Sequence, residues 1–127
     1  MRPTDRSYLE SHEWAQLDGD IVTVGISDFA VEQLGELVYL DLPEVEDDAA
    51  AGTGFGEVES VKAVSDVNAP VDGEIVEVNT ELADNLDTLQ NDPFNGGWLI
   101  KIKVSNPDCL SGLLDAAAYE EIVTSQS

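Results

Sequence analysis

Apolar side chains recur at every second residue along much of this chain, the spacing that places them on one face of an extended strand. Val22, Val24 and Ile26 share a parity, as do Val38, Leu40 and Leu42. The longest set is Trp98, Ile100, Ile102 and Val104, with Lys101 and Lys103 on the opposite face. These sets predict three strands. Between the first two, Ser27 can cap the amides of a short helix that Gly35 stops. A C-terminal helix is expected over about 115–123, with Asp115 as its cap and Ser125-Gln126-Ser127 fraying beyond it.

The intervening segments lack either period. Glu44-Val45-Glu46-Asp47-Asp48 and Ala49-Ala50-Ala51-Gly52 read as a solvated loop, without the ligand spacing of a calcium site. Asn91 to Gly97 is a turn cluster feeding the Trp98 strand. Val58, Val61, Val64 and Val67 fall three apart, as on a helix face. Gly54-Phe55-Gly56 and Asn68-Ala69-Pro70 bracket only a short piece, however, and β-branched valines favour extended chain. The preferred reading is a hairpin with Lys62 at its bend. The stretch Asp20 to Leu42 loosely echoes Gly73 to Val104, which suggests an internal two-fold in a mainly β domain.

At 127 residues one domain over 1–127 is expected, large enough for a single core. No apolar run suits a signal peptide or a membrane span. Cys109 is the only cysteine, which leaves no intrachain disulfide and no cysteine cage for a metal. A cytoplasmic location is the expectation. Asp and Glu number 27 against 5 Lys and Arg, a formal net charge of −22. Nucleic-acid binding requires clustered cations to displace counterions from phosphate, so that class is set aside. Self-repulsion on this scale opposes a compact state unless salt screens it, and at about 1 M salt the Debye length is about 3 Å. A halophilic, archaeal source is therefore expected.

Against that background Lys62 is the only cation between Arg6 and Lys101. Its amine, on a long flexible stem, can be acylated, which replaces a point charge with a neutral amide bearing a cargo. Acylation takes the formal charge from −22 to about −23, so electrostatics gives no reason to keep this lysine. His12, the single histidine, has no convincing nucleophile as partner and reads as a structural or binding contact.

The string Glu59-Ser60-Val61-Lys62-Ala63-Val64-Ser65-Asp66-Val67-Asn68-Ala69-Pro70-Val71-Asp72-Gly73-Glu74 resembles the lipoyl-attachment hairpin of the H-protein family of the glycine cleavage system. Tyr8, Ser11-His12-Glu13-Trp14, Gly25-Ile26-Ser27-Asp28, Leu34-Gly35-Glu36, Leu42-Pro43 and Gly97-Trp98-Leu99-Ile100-Lys101 follow in that family's order, so the resemblance spans almost the whole chain. It implies a lipoyl-domain-like barrel-sandwich of two antiparallel sheets related by a quasi-two-fold. One short internal helix, a C-terminal helix and a lipoyl hairpin over about 54–78 complete that expectation.

The resemblance further implies lipoate in amide linkage to Lys62, with Glu59 and Gly73 read by the attaching enzyme, a lipoate ligase or lipoyltransferase. The carrier would catalyse nothing itself. Its cofactor would take the aminomethyl group of decarboxylated glycine from the P protein, a pyridoxal-phosphate decarboxylase. It would pass the group to the T protein, an aminomethyltransferase, and be reoxidised by the L protein, dihydrolipoyl dehydrogenase. Ser11, Glu13, Ile26 and Asp66 match positions that line a cleft for the loaded arm. Glu13 and Asp66 would hold the amino end and Ile26 would wall the dithiol.

Alternatives remain at this stage. One is a lipoyl carrier for another pathway, including lipoate relay to 2-oxo acid dehydrogenases, although those domains usually carry Asp-Lys-Ala where this chain has Val61-Lys62-Ala63. A biotin carrier would flank its lysine with methionine, and the only methionine is Met1. An unmodified acidic interaction module is the third. Phe94, where tyrosine is more usual, and Cys109, in a normally polar stretch, depart from the family pattern; neither touches the Lys62 turn. The charge itself generates a prediction: the thermal midpoint should rise from dilute buffer to molar KCl, and equal midpoints would remove the case for a salt-adapted surface.

Overall fold

The computed structural model describes residues 6–105, 110 and 112–126. Cys109 lies outside them. Nine strands are found among the described residues: β1 (Ser7–Tyr8), β2 (Glu13–Asp18), β3 (Ile21–Ile26), β4 (Leu37–Asp41), β5 (Asp48–Ala49), β6 (Gly54–Ser60), β7 (Val64–Asn68), β8 (Gly73–Val78) and β9 (Ile100–Lys103). The helices are α1 (Asp28–Leu34), α2 (Leu86–Asn91) and α3 (Ala116–Gln126), with a 3-10 turn over Thr80–Asp84. All strand pairings are antiparallel. One sheet runs β1-β2-β3-β9-β8-β5 and the other β4-β6-β7. Neither strand order closes on itself, so the two antiparallel sheets form the expected barrel-sandwich without a closed barrel. No helix among the described residues is long and apolar enough to cross a membrane.

The period-two reading places β3 and β9 correctly, with Val22, Val24, Ile100 and Ile102 all fully buried. β4 departs from it. The β4–β6 register shifts between Leu37 and Tyr39, so Leu37 and Leu40 face the core while Val38 is 47% exposed. An extra residue in one strand reverses the facing of those that follow it. The expected loop over 44–52 also contains strand pairing, because Asp48 and Ala49 lie opposite Glu74 and Gly73. Ala49 is small enough to bury there.

Ser27 caps α1 as expected, its hydroxyl accepting from the Ala30 amide at 3.2 Å. The expectation of a single internal helix is corrected by α2. Asn79 and Asn85 stand at the N-caps of the 3-10 turn and of α2, yet neither side chain makes a capping hydrogen bond. Burial of Leu82 and Leu89 holds both elements instead. Asp115 does cap α3, accepting from the Ala118 amide at 2.8 Å, and the helix runs three residues past the expected Val123. The echo between the two halves is real as strand-helix-strand order, yet β3 and β4 lie in different sheets whereas β8 and β9 are neighbours. The two-fold is therefore not carried through the strand ladder.

The main core lies between the sheets. A second cluster of Tyr8, Trp14, Ala116 and Tyr119 seats α3 against β1 and β2, with the Tyr8 and Tyr119 rings stacked at 4.7 Å. The Tyr119 hydroxyl also bonds Ser27 Oγ at 2.6 Å and His12 Nδ1 at 2.7 Å. One phenol thus joins α3, the cap of α1 and the turn before β2. Tyr119→Phe removes the hydrogen bonds to both Ser27 and His12, a loss of about 2 kcal/mol. Urea unfolding should register it, and an unchanged midpoint would show the triad to be dispensable.

Candidate functional site

Lys62 projects from a short connection between β6 and β7 whose geometry Ser60 controls. The Ser60 amide donates to the Ala63 carbonyl at 2.8 Å. The Ser60 hydroxyl accepts from the amides of Lys62 at 3.3 Å and Ala63 at 3.1 Å. Serine in this role satisfies amides that the bend turns away from the ladder. Ser60 is itself buried, while Val61, Lys62 and Ala63 are exposed. The tip is tied to the body by the Val61 amide, which donates to the Glu36 carbonyl at 3.0 Å.

The Lys62 stem runs past the end of α1. Its Cε lies 3.8 Å from where a Cβ on Gly35 would stand. Gly35 has φ +84° and ψ −139°, a conformation open in practice only to glycine. The helix stop that the sequence suggested therefore also clears space beside the lysine. Gln90 on α2 donates to the Gly35 carbonyl at 3.3 Å, which holds this corner from a third element.

Glu59 stands next to Ser60 at the end of the ladder that leads into the turn. It sits exposed on the outer face of the three-stranded sheet, directly across from Tyr39 on one side and Val64 on the other. Gly73 is elsewhere, beyond the Gly54–Asn68 base of the hairpin, as the first residue of β8 opposite Ala49. A Cβ at Gly73 would run into the Lys103 carbonyl oxygen. That close approach to β9 explains glycine there by packing. The paired hairpin itself ends at Asn68, and β8 belongs to the six-stranded sheet.

The four cleft residues divide. Glu13 and Ile26 are cross-strand partners on β2 and β3, both buried, with Ser11 exposed beside them. Glu13 is only 1% exposed. One carboxylate oxygen accepts from the Ser11 hydroxyl, and the other accepts from the Asn68 amide at 2.6 Å. Asn68 ends β7, so this carboxylate bridges the two sheets. Asp66 lies two residues earlier on the same strand, exposed and opposite Glu57.

Burial pushes the Glu13 carboxyl above its ordinary value of 4.5, against the lowering pull of the bonds from Ser11 and Asn68. Removal from water disfavours the ionised form more than those donors favour it.

Sequence reasoning placed Lys62 at the bend of a hairpin, and the β6–β7 connection is that bend. It missed Ser60 as the residue that shapes the turn, although a serine two positions before the bend is a recognisable signal. The Gly35 and Asn68 contacts had no local signal, since each depends on residues far along the chain. His12, at φ +81°, lies near Phe29 and bonds Tyr119, a structural role. Trp14 is core, its indole N–H donating to the carbonyls of Ile26 at 3.1 Å and Pro93 at 3.0 Å. Among the described residues no group of three His, Cys, Asp or Glu side chains is placed to hold a metal.

The Glu13 shift sets a pH dependence. A carboxyl whose folded pKa lies above its unfolded one contributes stability that is full below the unfolded value and is lost as pH rises through the folded value. Wild type should therefore gain stability relative to Glu13→Gln as pH falls from neutrality towards 4.5. Urea midpoints of both proteins at fixed high salt would read this, and a difference independent of pH would contradict it.

Comparison with known proteins bears on the whole chain and not on the hairpin alone. The family described as glycine cleavage H-protein matches residues 6–126. Glycine cleavage system H proteins of Acaryochloris marina and Prochlorococcus marinus are 48% and 51% identical, over 93% and 92% of this chain and 92% and 91% of theirs. The crystal structure of a glycine cleavage system H protein from Mycobacterium marinum superposes with a TM-score of 0.86 at 44% identity, covering 94% of this chain and 97% of that one. Matches of this depth along almost the full length, on the same two-sheet architecture, mean that the chain belongs to the glycine cleavage H-protein family.

Proposed function

We propose that Lys62 is the residue that carries lipoate, through an amide at Nζ, and that this chain works in the cytoplasm as a carrier without catalytic activity of its own. As a member of its family it is the lipoyl-bearing shuttle of the glycine cleavage system. The observation that carries the assignment to Lys62 is its exposure at the tip of a turn anchored by Ser60 and Glu36. Such a site offers an amine to large partners while its base stays fixed. The residues present suit the group: an exposed primary amine, no bulk at Gly35 to crowd its stem, and a neutral product that costs no buried charge.

When attached, lipoate supplies the dithiolane that receives the aminomethyl group at the P protein, yields its one-carbon unit at the T protein and is reoxidised by the L protein. The chain contributes position. Ser60 and the Glu36 carbonyl limit the excursion of the tip, so the tethered group searches a restricted volume at each enzyme and its effective concentration there is raised. Glu59, at the end of the ladder that leads into the turn, and Gly73 are taken as residues read by a lipoate ligase or lipoyltransferase, and Gly73 also lets β8 approach β9 closely.

The corner formed by Ser11, Glu13, Ile26 and Asp66 is our proposed resting place for the loaded arm. Ser11 and Asp66 are exposed acceptors for a cationic amine, Glu13 adds negative charge behind Ser11, and Ile26 is apolar. Replacement Lys62→Arg keeps the charge but removes an acylatable amine. Expressed in a host that lipoylates proteins, wild type should show the lipoyl mass increment and support glycine-dependent CO2 exchange with the P protein. The variant should lack the increment and fall to background. Full exchange by Lys62→Arg would refute the assignment.

A further inference from the structure

The three-stranded sheet ends in an uncovered strand beside Lys62. β7 is terminal in the order β4-β6-β7, and every residue from Val61 to Asp66 is exposed. Two observations fix which of its backbone groups point outward. The Ser60 amide donates to the Ala63 carbonyl, so Ser60–Ala63 is a bonded pair. By antiparallel alternation the next pair, Glu59–Val64, and the one two further on, Glu57–Asp66, are non-bonded. The N–H and C=O groups of Val64 and Asp66 then face away from β6. The Asn68 amide, next in the same alternation, does point outward and is taken by Glu13 at 2.6 Å. The protein therefore closes this edge at Asn68 and leaves it uncovered by any strand at Val64 and Asp66, where the Asp66 carbonyl accepts only the neighbouring Ser65 hydroxyl at 3.4 Å.

The side chains around the open stretch are unusual for a free surface. Val38, Tyr39, Val61 and Val64 are four of the five large apolar side chains exposed among the described residues, and Tyr39, Glu59 and Val64 form one cross-strand row. A concentration of this kind marks an interaction site. The next outward row is Asp41, Glu57 and Asp66. Pairing with a second copy would bring these carboxylates against their equivalents on a body of net charge −22. A basic strand meets the opposite situation.

We propose that the Val64–Asp66 edge is where the enzyme that acylates Lys62 adds an extended, cationic segment as a fourth strand. The inference rests on the reading of Lys62 as the lipoylated residue. Distance selects this partner among those that visit the chain. The acylating enzyme must bring an activated lipoyl carboxyl to Nζ, where a C–N bond forms, the amine gives up a proton and the activating group departs with the bonding pair. It has to approach the turn itself. Enzymes that act on the finished arm meet its sulfurs a lysine stem and an eight-carbon chain away from β7. Main-chain bonds to Val64 and Asp66 supply register, and the Tyr39–Glu59–Val64 row supplies side-chain contacts, as in other additions to an open sheet edge.

The test compares Asp66→Pro with Asp66→Ala in a lipoylation assay using a purified lipoate ligase, lipoate and ATP. Both variants remove the carboxylate. Only proline removes the outward N–H, and it does so without touching the ladder to β6. Asp66→Pro should be modified about tenfold more slowly than Asp66→Ala. Equal rates overturn the inference, and an unmodified wild type overturns both it and the assignment of Lys62. Amide hydrogen exchange on the wild type covers the case in which the proline variant does not fold. Addition of the ligase should protect the Val64 and Asp66 amides, and unchanged exchange at both would sink the proposal.

Discussion

A buried carboxylate joins the hairpin to the rest of the molecule. Glu13 starts β2 in one sheet, and its side chain accepts from the amide that ends β7 in the other. An ionised group taken out of water persists only where donors compensate for lost hydration. Here the Ser11 hydroxyl and the Asn68 amide offset part of that loss, and burial still pushes the carboxyl above its ordinary value. The bond is costly to form and costlier to leave half made, so it fixes the hairpin base in one place. The tip is held separately by Ser60 and the Glu36 carbonyl. The turn bearing Lys62 is therefore tied to the body both at its tip and at the base of its hairpin.

Cations are scarce, and their placement divides by role. Arg6 lies over the Trp14 ring at 4.6 Å and donates to the Phe94 carbonyl at 2.6 Å. Lys101 lies over Trp98 at 5.0 Å, and Lys103 stands directly across from Glu74. These three stabilise aromatic packing or relieve carboxylates of the six-stranded sheet. Lys62 is set apart, exposed at a tip whose neighbours are apolar side chains and acids. The same acidic coat gives the outer face of the three-stranded sheet a charge that favours basic partners and disfavours copies of itself.

The aromatic cluster under α3 extends this logic to the far side. Tyr119 stacks on Tyr8 and bonds both Ser27 and His12. The cap of α1 is therefore braced by the C-terminal helix, and α1 ends at the Gly35 beside the Lys62 stem. Gln90 on α2 reaches the same glycine carbonyl. Three helices of modest intrinsic stability thus support one corner. Short helices hold their shape through such tertiary contacts more than through propensity.

Local chemistry determined a great deal before any folding was considered. Period-two apolar sets located β3 and β9, Ser27 and Asp115 marked helix starts, Gly35 marked a stop, and the isolated Lys62 between glycine- and proline-bracketed valines marked a hairpin tip. Each of these signals acts within a few residues, which is why it survives in a linear string. Tertiary structure decided the rest. The bulge in β4 that turns Val38 outward depends on the partner strand. The capless α2 depends on a core that receives Leu89, and the pairing of Asp48–Ala49 on β8. Glu13 meeting Asn68 joins residues 55 apart in sequence, and Gly73 avoiding the Lys103 carbonyl joins β8 to β9. Such contacts arise only once the sheets have packed, because burial and ladder register are properties of the assembled layers and of no single segment.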